Sequence, residues 1–117
     1  MNRRDIFDYV KQKYGTEPEY LWVKYPSYAV LRHQDNRKWY GIVMDVPKDK
    51  LGLLGTEAAD ILDIRCEPLM ADQLRQLPGI LPGYHMNKKY WVSILLDGTV
   101  SADKILELLD MSFRNTR

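Results

Sequence analysis

Two amphipathic helical patterns stand at the ends of this chain, and most of what lies between them reads as short strands. No other feature restricts the fold as much. At the N-terminal end Ile6, Phe7, Val10 and Tyr14 recur at helical spacing over residues 3–14. Asn2 is placed to cap this helix, Asp5 lies in its first turn, and Gly15 ends it. A second helix begins near Ser101 and carries Ala102, Ile105, Leu106, Leu109 and Phe113 on one face. A helix with a single apolar stripe must bury it against another layer. Two such helices bracketing strands therefore predict an α+β, two-layer sandwich, with a largely antiparallel sheet and the terminal helices on one of its faces.

The strands come next. Residues 29–33 and 39–46, rich in aromatic and β-branched side chains, flank the hairpin loop Gln34-Asp35-Asn36-Arg37-Lys38, and Pro47 closes the second strand. In that strand Tyr40, Ile42, Met44 and Val46 are expected to face the helices. A third strand is expected over residues 61–65, with Leu62, Ile64 and Cys66 inward and Ile61, Asp63 and Arg65 outward. Pro68 opens a short helix with a Met70, Leu74, Leu77 stripe that stops at Pro78-Gly79; Pro82 and Gly83 hold a loop. A last strand over residues 90–96 turns at Asp97-Gly98. By parity the face away from the helices offers Val30, Arg32, Trp39, Val43, Asp45, Ile61, Arg65, Trp91, Ser93 and Leu95, either open or covered by loops or a second subunit.

The 117 residues suffice for one domain with its own core, and no repeat or linker marks a second, so residues 1–117 read as a single unit. Apolar residues at 45% and charged residues at 28% exclude disorder. A net charge of +1 excludes a histone-like protein and an acidic tail, and leaves a local basic patch open. No apolar run approaches the roughly 20 residues that span a bilayer, and the chain starts in an amphipathic pattern, not a signal peptide. With one cysteine, Cys66, a reducing cytoplasm is the expected home, and no membrane partner is expected.

Catalytic signals are absent. His33 and His85 lie far apart, no zinc-ligand spacing occurs, and Cys66 reads as a small buried hydrophobe. There is no nucleophile elbow, P-loop or dinucleotide fingerprint, and Gly52-Leu53-Leu54-Gly55 is too apolar and short to cradle phosphate. Asp60 and Asp63 read as surface charges. No catalytic residue, metal or cofactor is expected. The densest polar cluster is Tyr84-His85-Met86-Asn87-Lys88-Lys89-Tyr90-Trp91, with two lysines, an imidazole, an amide and three aromatic rings other than histidine, and no acid. Such groups suit phosphates, base edges and base faces. Equally, Asn87 can make a turn, His85 can bond a backbone carbonyl, and Trp91 can pack in the sheet.

That cluster, followed by Leu96-Asp97-Gly98 and a helix ending Leu109-Asp110-Met111-Ser112-Phe113, resembles the MmcQ/YjbR family of small bacterial proteins. Tyr28-Ala29-Val30-Leu31-Arg32-His33, Asn36-Arg37-Lys38-Trp39 and Leu62-Asp63-Ile64-Arg65-Cys66-Glu67-Pro68 fit the same pattern, so the resemblance covers nearly the whole chain. It implies a fold like that of the bacterial frataxin homologue CyaY and DNA binding through a double wing of strands. Tyr90 stands where many relatives have a second histidine, and Phe113 where tyrosine is usual. Arg3, Arg4, Lys11 and Lys13 break up any acidic ridge on the first helix, so frataxin-like iron handling does not carry over.

The leading expectation is a non-enzymatic DNA-binding protein, monomeric or a weak homodimer. Lys24, Arg32, Arg37 and Lys38 around the first hairpin, with Lys88 and Lys89, would contact phosphates. Residues 24–50 hold six basic side chains against three acids, a local +3. Arg65, His85, Asn87 and Trp91 are the candidates for a more specific pocket. The alternatives are a module that grips a small anionic ligand with the same loop, and an interaction adaptor that uses the open sheet face.

Overall fold

The computed structural model describes all 117 residues. Helix α1 (Arg3–Tyr14) starts at Asn2, whose side-chain oxygen accepts the Asp5 N–H at 3.0 Å while the Asp5 carboxylate accepts the Asn2 N–H at 3.0 Å. This reciprocal box satisfies two otherwise orphaned donors. Gly15, in the left-handed region at φ 68°, ends the helix as the sequence predicts. Strands β1 (Ala29–Arg32) and β2 (Trp39–Pro47) form the expected hairpin, and a 3₁₀ turn (Lys48–Leu51) leads to β3 (Ala58–Arg65). Then come α2 (Pro68–Leu74), β4 (Ile80–Pro82), β5 (Trp91–Leu95) and α3 (Ala102–Thr116), capped by Ser101. The sheet runs β1-β2-β3-β5-β4, and every neighbouring pair is antiparallel.

All three helices pack on one face, as the terminal stripes require. Ile6 and Val10 of α1, Ala71 and Leu74 of α2, and Ile105, Leu108 and Leu109 of α3 share one core with Leu31, Val43, Leu62, Ile64, Val92 and Ile94. Polar links lock α1 in place. Arg3 grips the Asp60 carboxylate with two nitrogens at 2.9 and 3.1 Å and the Ser27 carbonyl with a third. Tyr9, Lys13 and Tyr14 converge on Asp110 of α3.

The largest departure from expectation is in β2. Ile42, Met44 and Val46 face away from the helices, and Val43 faces toward them. The reason is a β-bulge: Leu31 pairs with Gly41, but the next residue, Arg32, pairs with Trp39, which leaves Tyr40 as the extra residue. Tyr40 packs with the helix-side core, and from Gly41 onward the parity is inverted. Val43 and Asp45 therefore leave the face where plain alternation puts them.

The bulge frees backbone groups inside the protein, and α3 satisfies them. The Ser112 hydroxyl donates to the Tyr40 carbonyl at 2.7 Å and accepts the Arg65 N–H at 2.9 Å, so a fully buried serine bridges β2 and β3. One turn on, Thr116 donates to the Ser112 carbonyl and contacts Nε2 of the buried His33 at 2.9 Å. The buried stripe of α3 thus reads Ile105, Leu108, Leu109, Ser112, Thr116, while Ala102 is exposed and Leu106 only half-buried.

Two smaller differences are local. Residues 80–82 form a strand rather than a loop, because β4 is the edge partner of β5 and an edge tolerates Pro82. Helix α2 ends at Leu74, so its buried residues are Ala71 and Leu74, and Met70 and Leu77 are exposed.

Two substitutions test this packing in urea unfolding. Leu109→Ala, at a fully buried position, should lose about 2–5 kcal/mol; a loss below about half a kcal/mol removes it from the core. Ser112→Ala should cost about 1–3 kcal/mol for each group it orphans, whereas Ser112→Thr keeps the hydroxyl and should retain more of the stability.

Candidate functional site

The inverted parity gives the sheet's second face an apolar floor. Val30, Ile42, Met44, Ile61, Trp91 and Leu95 form a separate buried cluster there, with Trp22, Trp39, Tyr84, Met86 and Tyr90 packed against its edges. Two irregular segments wall it. Residues 20–28 bring Trp22, Tyr25 and Tyr28, whose rings meet edge-on or stacked (Trp22–Trp39 at 5.8 Å, Tyr25–Tyr28 at 4.7 Å). Residues 83–90 bring Tyr84, His85 and Met86.

Between them lies a groove of three adjoining hollows. The central one, about 440 Å³, is lined by Trp22, Tyr25, Tyr28, Trp39, Ile42, Met44, His85 and Met86. Trp39 and Met86 also line a hollow of about 480 Å³ with Lys38, Arg65, Trp91, Asn115 and Thr116. On the other side His85 is shared with a hollow of about 340 Å³ that holds Lys50, Leu51, Leu81, Pro82, Tyr84 and Lys88. An aromatic centre is thus flanked by Lys38 and Arg65 at one end and by Lys50 and Lys88 at the other. No aspartate or glutamate lines any of the three. A separate hollow of about 280 Å³, near Thr16, His33, Asp35 and Arg117, contains an acid and the His33 already engaged by Thr116.

The loop at residues 83–90 is tied down from below. Gly83 passes so close to β5 that a Cβ there would stand 2.7 Å from the Trp91 Cβ, so no larger residue fits. The Tyr84 N–H donates to the Ser93 hydroxyl at 2.9 Å, and that hydroxyl donates to Oδ1 of Asp63. Asp63 is fully buried, and its Oδ2 has no partner. It is not the surface charge that the sequence suggests. Burial pushes its carboxyl up to about 8, against the smaller opposing effects of the Ser93 hydrogen bond and the Lys88 charge. His85 then takes a positive φ of 60°, which is uncommon for a residue with a side chain, and its ring packs on Tyr84 at 4.2 Å.

The sequence-predicted residues fall into three groups. Lys38, Arg65, His85 and Lys88 line the groove, Lys24 is exposed between Trp22 and Tyr25, and Lys89 is exposed on the outer loop. The Arg65 guanidinium lies 4.7 Å above the Tyr90 ring. Arg32 and Arg37 are occupied: Glu19 holds Arg32 at 2.9 and 3.0 Å and Arg37 at 3.3 Å. Trp91 and Asn87 are placed by structure. Trp91 is only 5% exposed, and the Asn87 side-chain oxygen accepts the Lys89 N–H at 2.9 Å in a local turn. Sequence reasoning missed Trp22, Tyr25, Tyr28, Met44 and Lys50. For the first three the signal was the density of rings over residues 20–28, outside any strand; Met44 was hidden by the inverted parity of β2, and nothing in the sequence singles out Lys50.

Neither metal nor thiol chemistry finds support in these positions. No cluster of three or more His, Cys, Asp or Glu could hold a metal ion, and burial pushes the Cys66 thiol up, which makes it a poor nucleophile. No helix is long and apolar enough to cross a membrane.

Comparison with known proteins agrees with this architecture. The family model described as YjbR matches residues 11–115. YyaQ of Bacillus subtilis (strain 168), an uncharacterised protein, is 50% identical over 117 residues, which is 100% of this chain and 99% of that one. A crystal structure of a Pseudomonas syringae protein superposes with a TM-score of 0.98 at 45% identity, covering 100% of both chains. A Deinococcus radiodurans protein, at 24% identity and a TM-score of 0.71, covers 94% of this chain and 74% of that one and shares the fold.

The buried carboxyl has a measurable consequence. Its folded value lies above its unfolded one, so the protonated form favours folding. The contribution of Asp63 to stability should fall as pH rises from about 4 to about 8 and level off beyond. Asp63→Asn should abolish that contribution and unfold at higher urea than the parent at pH 8.5, with the gap closing toward pH 4. A constant gap across this range would show that Asp63 does not titrate there.

Proposed function

The chain belongs to the YjbR family, and from the groove that its loops enclose we propose that it is a non-enzymatic DNA-binding protein. One observation carries the reading. The groove presents Lys38, Lys50, Arg65 and Lys88, none paired with a carboxylate, and no acid lines it. Unpaired cations around a concave surface suit a chain of phosphates, which fix register without reading sequence. Lys24 and Lys89 extend the positive rim. Arg32 and Arg37 serve instead to fasten the β1–β2 hairpin to Glu19, so the hairpin contributes through Lys38. The wing-like hairpin fits the double-wing binding that the family resemblance implies.

Asp63 belongs in the same reading. Held largely protonated at pH 7, it adds little negative charge beneath the groove where phosphates would lie. A second reading, a small planar anion held in the central hollow, is favoured by the concentration of rings there.

Anisotropy titrations with labelled DNA across a salt series test the proposal. Lys38→Gln and Lys88→Gln should each weaken binding to all sequences alike and lower the salt slope by about one. Salt-independent binding, or none at about 50 mM salt, rejects it.

A further inference from the structure

We infer that the groove takes single-stranded DNA, with an unstacked base seated in the central hollow against the rings of Trp22, Tyr25 and Trp39 and with its flanking phosphates on the Lys38–Arg65 and Lys50–Lys88 pairs; this rests on the DNA-binding reading above. The placement of the charges is the first argument. The cations stand in two pairs at the ends of a hollow that is seven-eighths hydrophobic in its lining residues. A duplex presents phosphates and base edges outward and keeps its base faces stacked, so it would desolvate this hollow without filling it. A single strand offers a phosphate, a ring and a further phosphate in succession, which is the order found along the groove.

The rings themselves are the second argument. Trp22 meets both Tyr28 and Trp39 edge-to-face, at 74° and 85° between planes. In each such pair one ring keeps both faces free of the other, where stacked rings would each lose one. Tyr25 is 47% exposed at the mouth, and Leu21 and Val23 stand exposed on the same segment, an apolar rim with no covering element. Base stacking on such rings is tolerant of sequence, and it supplies binding free energy that salt does not screen. That suits a chain whose net charge is only +1.

The test compares three labelled probes of about 12 units: an oligothymidylate strand, a duplex, and an abasic strand with the same phosphates. Trp22 and Trp39 are two of the three tryptophans, so intrinsic fluorescence reports on the hollow. The thymidylate strand should bind at least about tenfold more tightly than either other probe and quench tryptophan emission, which the abasic strand should not. Tyr25→Ala, at a position 47% exposed whose ring stacks on Tyr28, should lose about tenfold in strand affinity once urea unfolding shows the variant folded under the binding conditions. Lys11→Gln, on the far side of α1 beside Glu17, should lose none. Equal affinity for the abasic and thymidylate strands, or preference for the duplex, overturns this inference and leaves DNA binding standing. Failure of all three probes at low salt overturns the DNA reading itself, and with it this inference, whether or not a free nucleotide quenches the tryptophans.

Discussion

A single extra residue, Tyr40, decides which chemistry each face of the sheet displays. Without the bulge, strict alternation would send Ile42, Met44 and Val46 under the helices and turn Val43 and Asp45 outward. The second face would then have an acid near its centre and little apolar floor. With the bulge, Val43 packs against Leu62 and α3, and the methionine and isoleucine floor the groove. A bulge inside a sheet is stable only if the freed backbone groups find partners. Here the partner is one hydroxyl, Ser112, accepting from Arg65 and donating to Tyr40. The C-terminal helix thus does more than cover the core: it sets the parity on which the opposite face depends.

The groove follows from that choice together with two irregular segments. Neither has regular secondary structure, yet both are fastened to the sheet. Glu19 bridges to Val30 through the backbone and to Arg32 through its carboxylate, which fixes the start of the aromatic segment. Tyr84 hangs from Ser93, and Ser93 from Asp63. An unpartnered carboxylate oxygen under a loop is costly when charged, so the structure holds the proton instead. Loops anchored in this way can present side chains with the definition of a strand while keeping the open backbone geometry, such as the positive φ at His85, that a concave surface requires.

Much of this was legible locally, and what was not has non-local causes. The Asn2 cap, the Gly15 stop, the hairpin at residues 34–38 and the stripe of α1 are decided within a few residues, and they appear as read. The parity of β3 and β5 also holds, because neither strand has a bulge: Leu62 and Ile64 pack inward, and Ile61 joins Trp91 and Leu95 on the other face. The face assignment of β2 failed because nothing within the strand announces an extra residue; the serine that permits it lies 72 positions away. Polar residues such as Ser112 and Thr116 do not register in an apolar stripe, so the buried face of α3 was misplaced by part of a turn. Of the candidate binding residues, the sequence located the His85 loop but could not show that Glu19 would occupy Arg32, or that Trp91 would lie under the loop rather than upon it.

Net charge is a poor guide to what this surface can bind. The formal value of +1 averages over a molecule in which acids and bases are unevenly distributed. Ion pairs fall on the helices and the sheet margins: Arg3 with Asp60, Lys13 with Asp110, Arg32 with Glu19, Lys48 with Glu57 and Lys104 with Glu107. Each such pair contributes little stability where solvent reaches it, but each removes a cation from competition for an anionic partner. The cations left without carboxylates include all four that line the groove, and the Asp63 carboxyl buried beneath the loop is held largely neutral. Within a Debye length of roughly 8–10 Å, an approaching phosphate meets those four charges rather than the average of the whole chain. The neutrality of the protein and the positivity of its groove are therefore two results of the same arrangement of ion pairs.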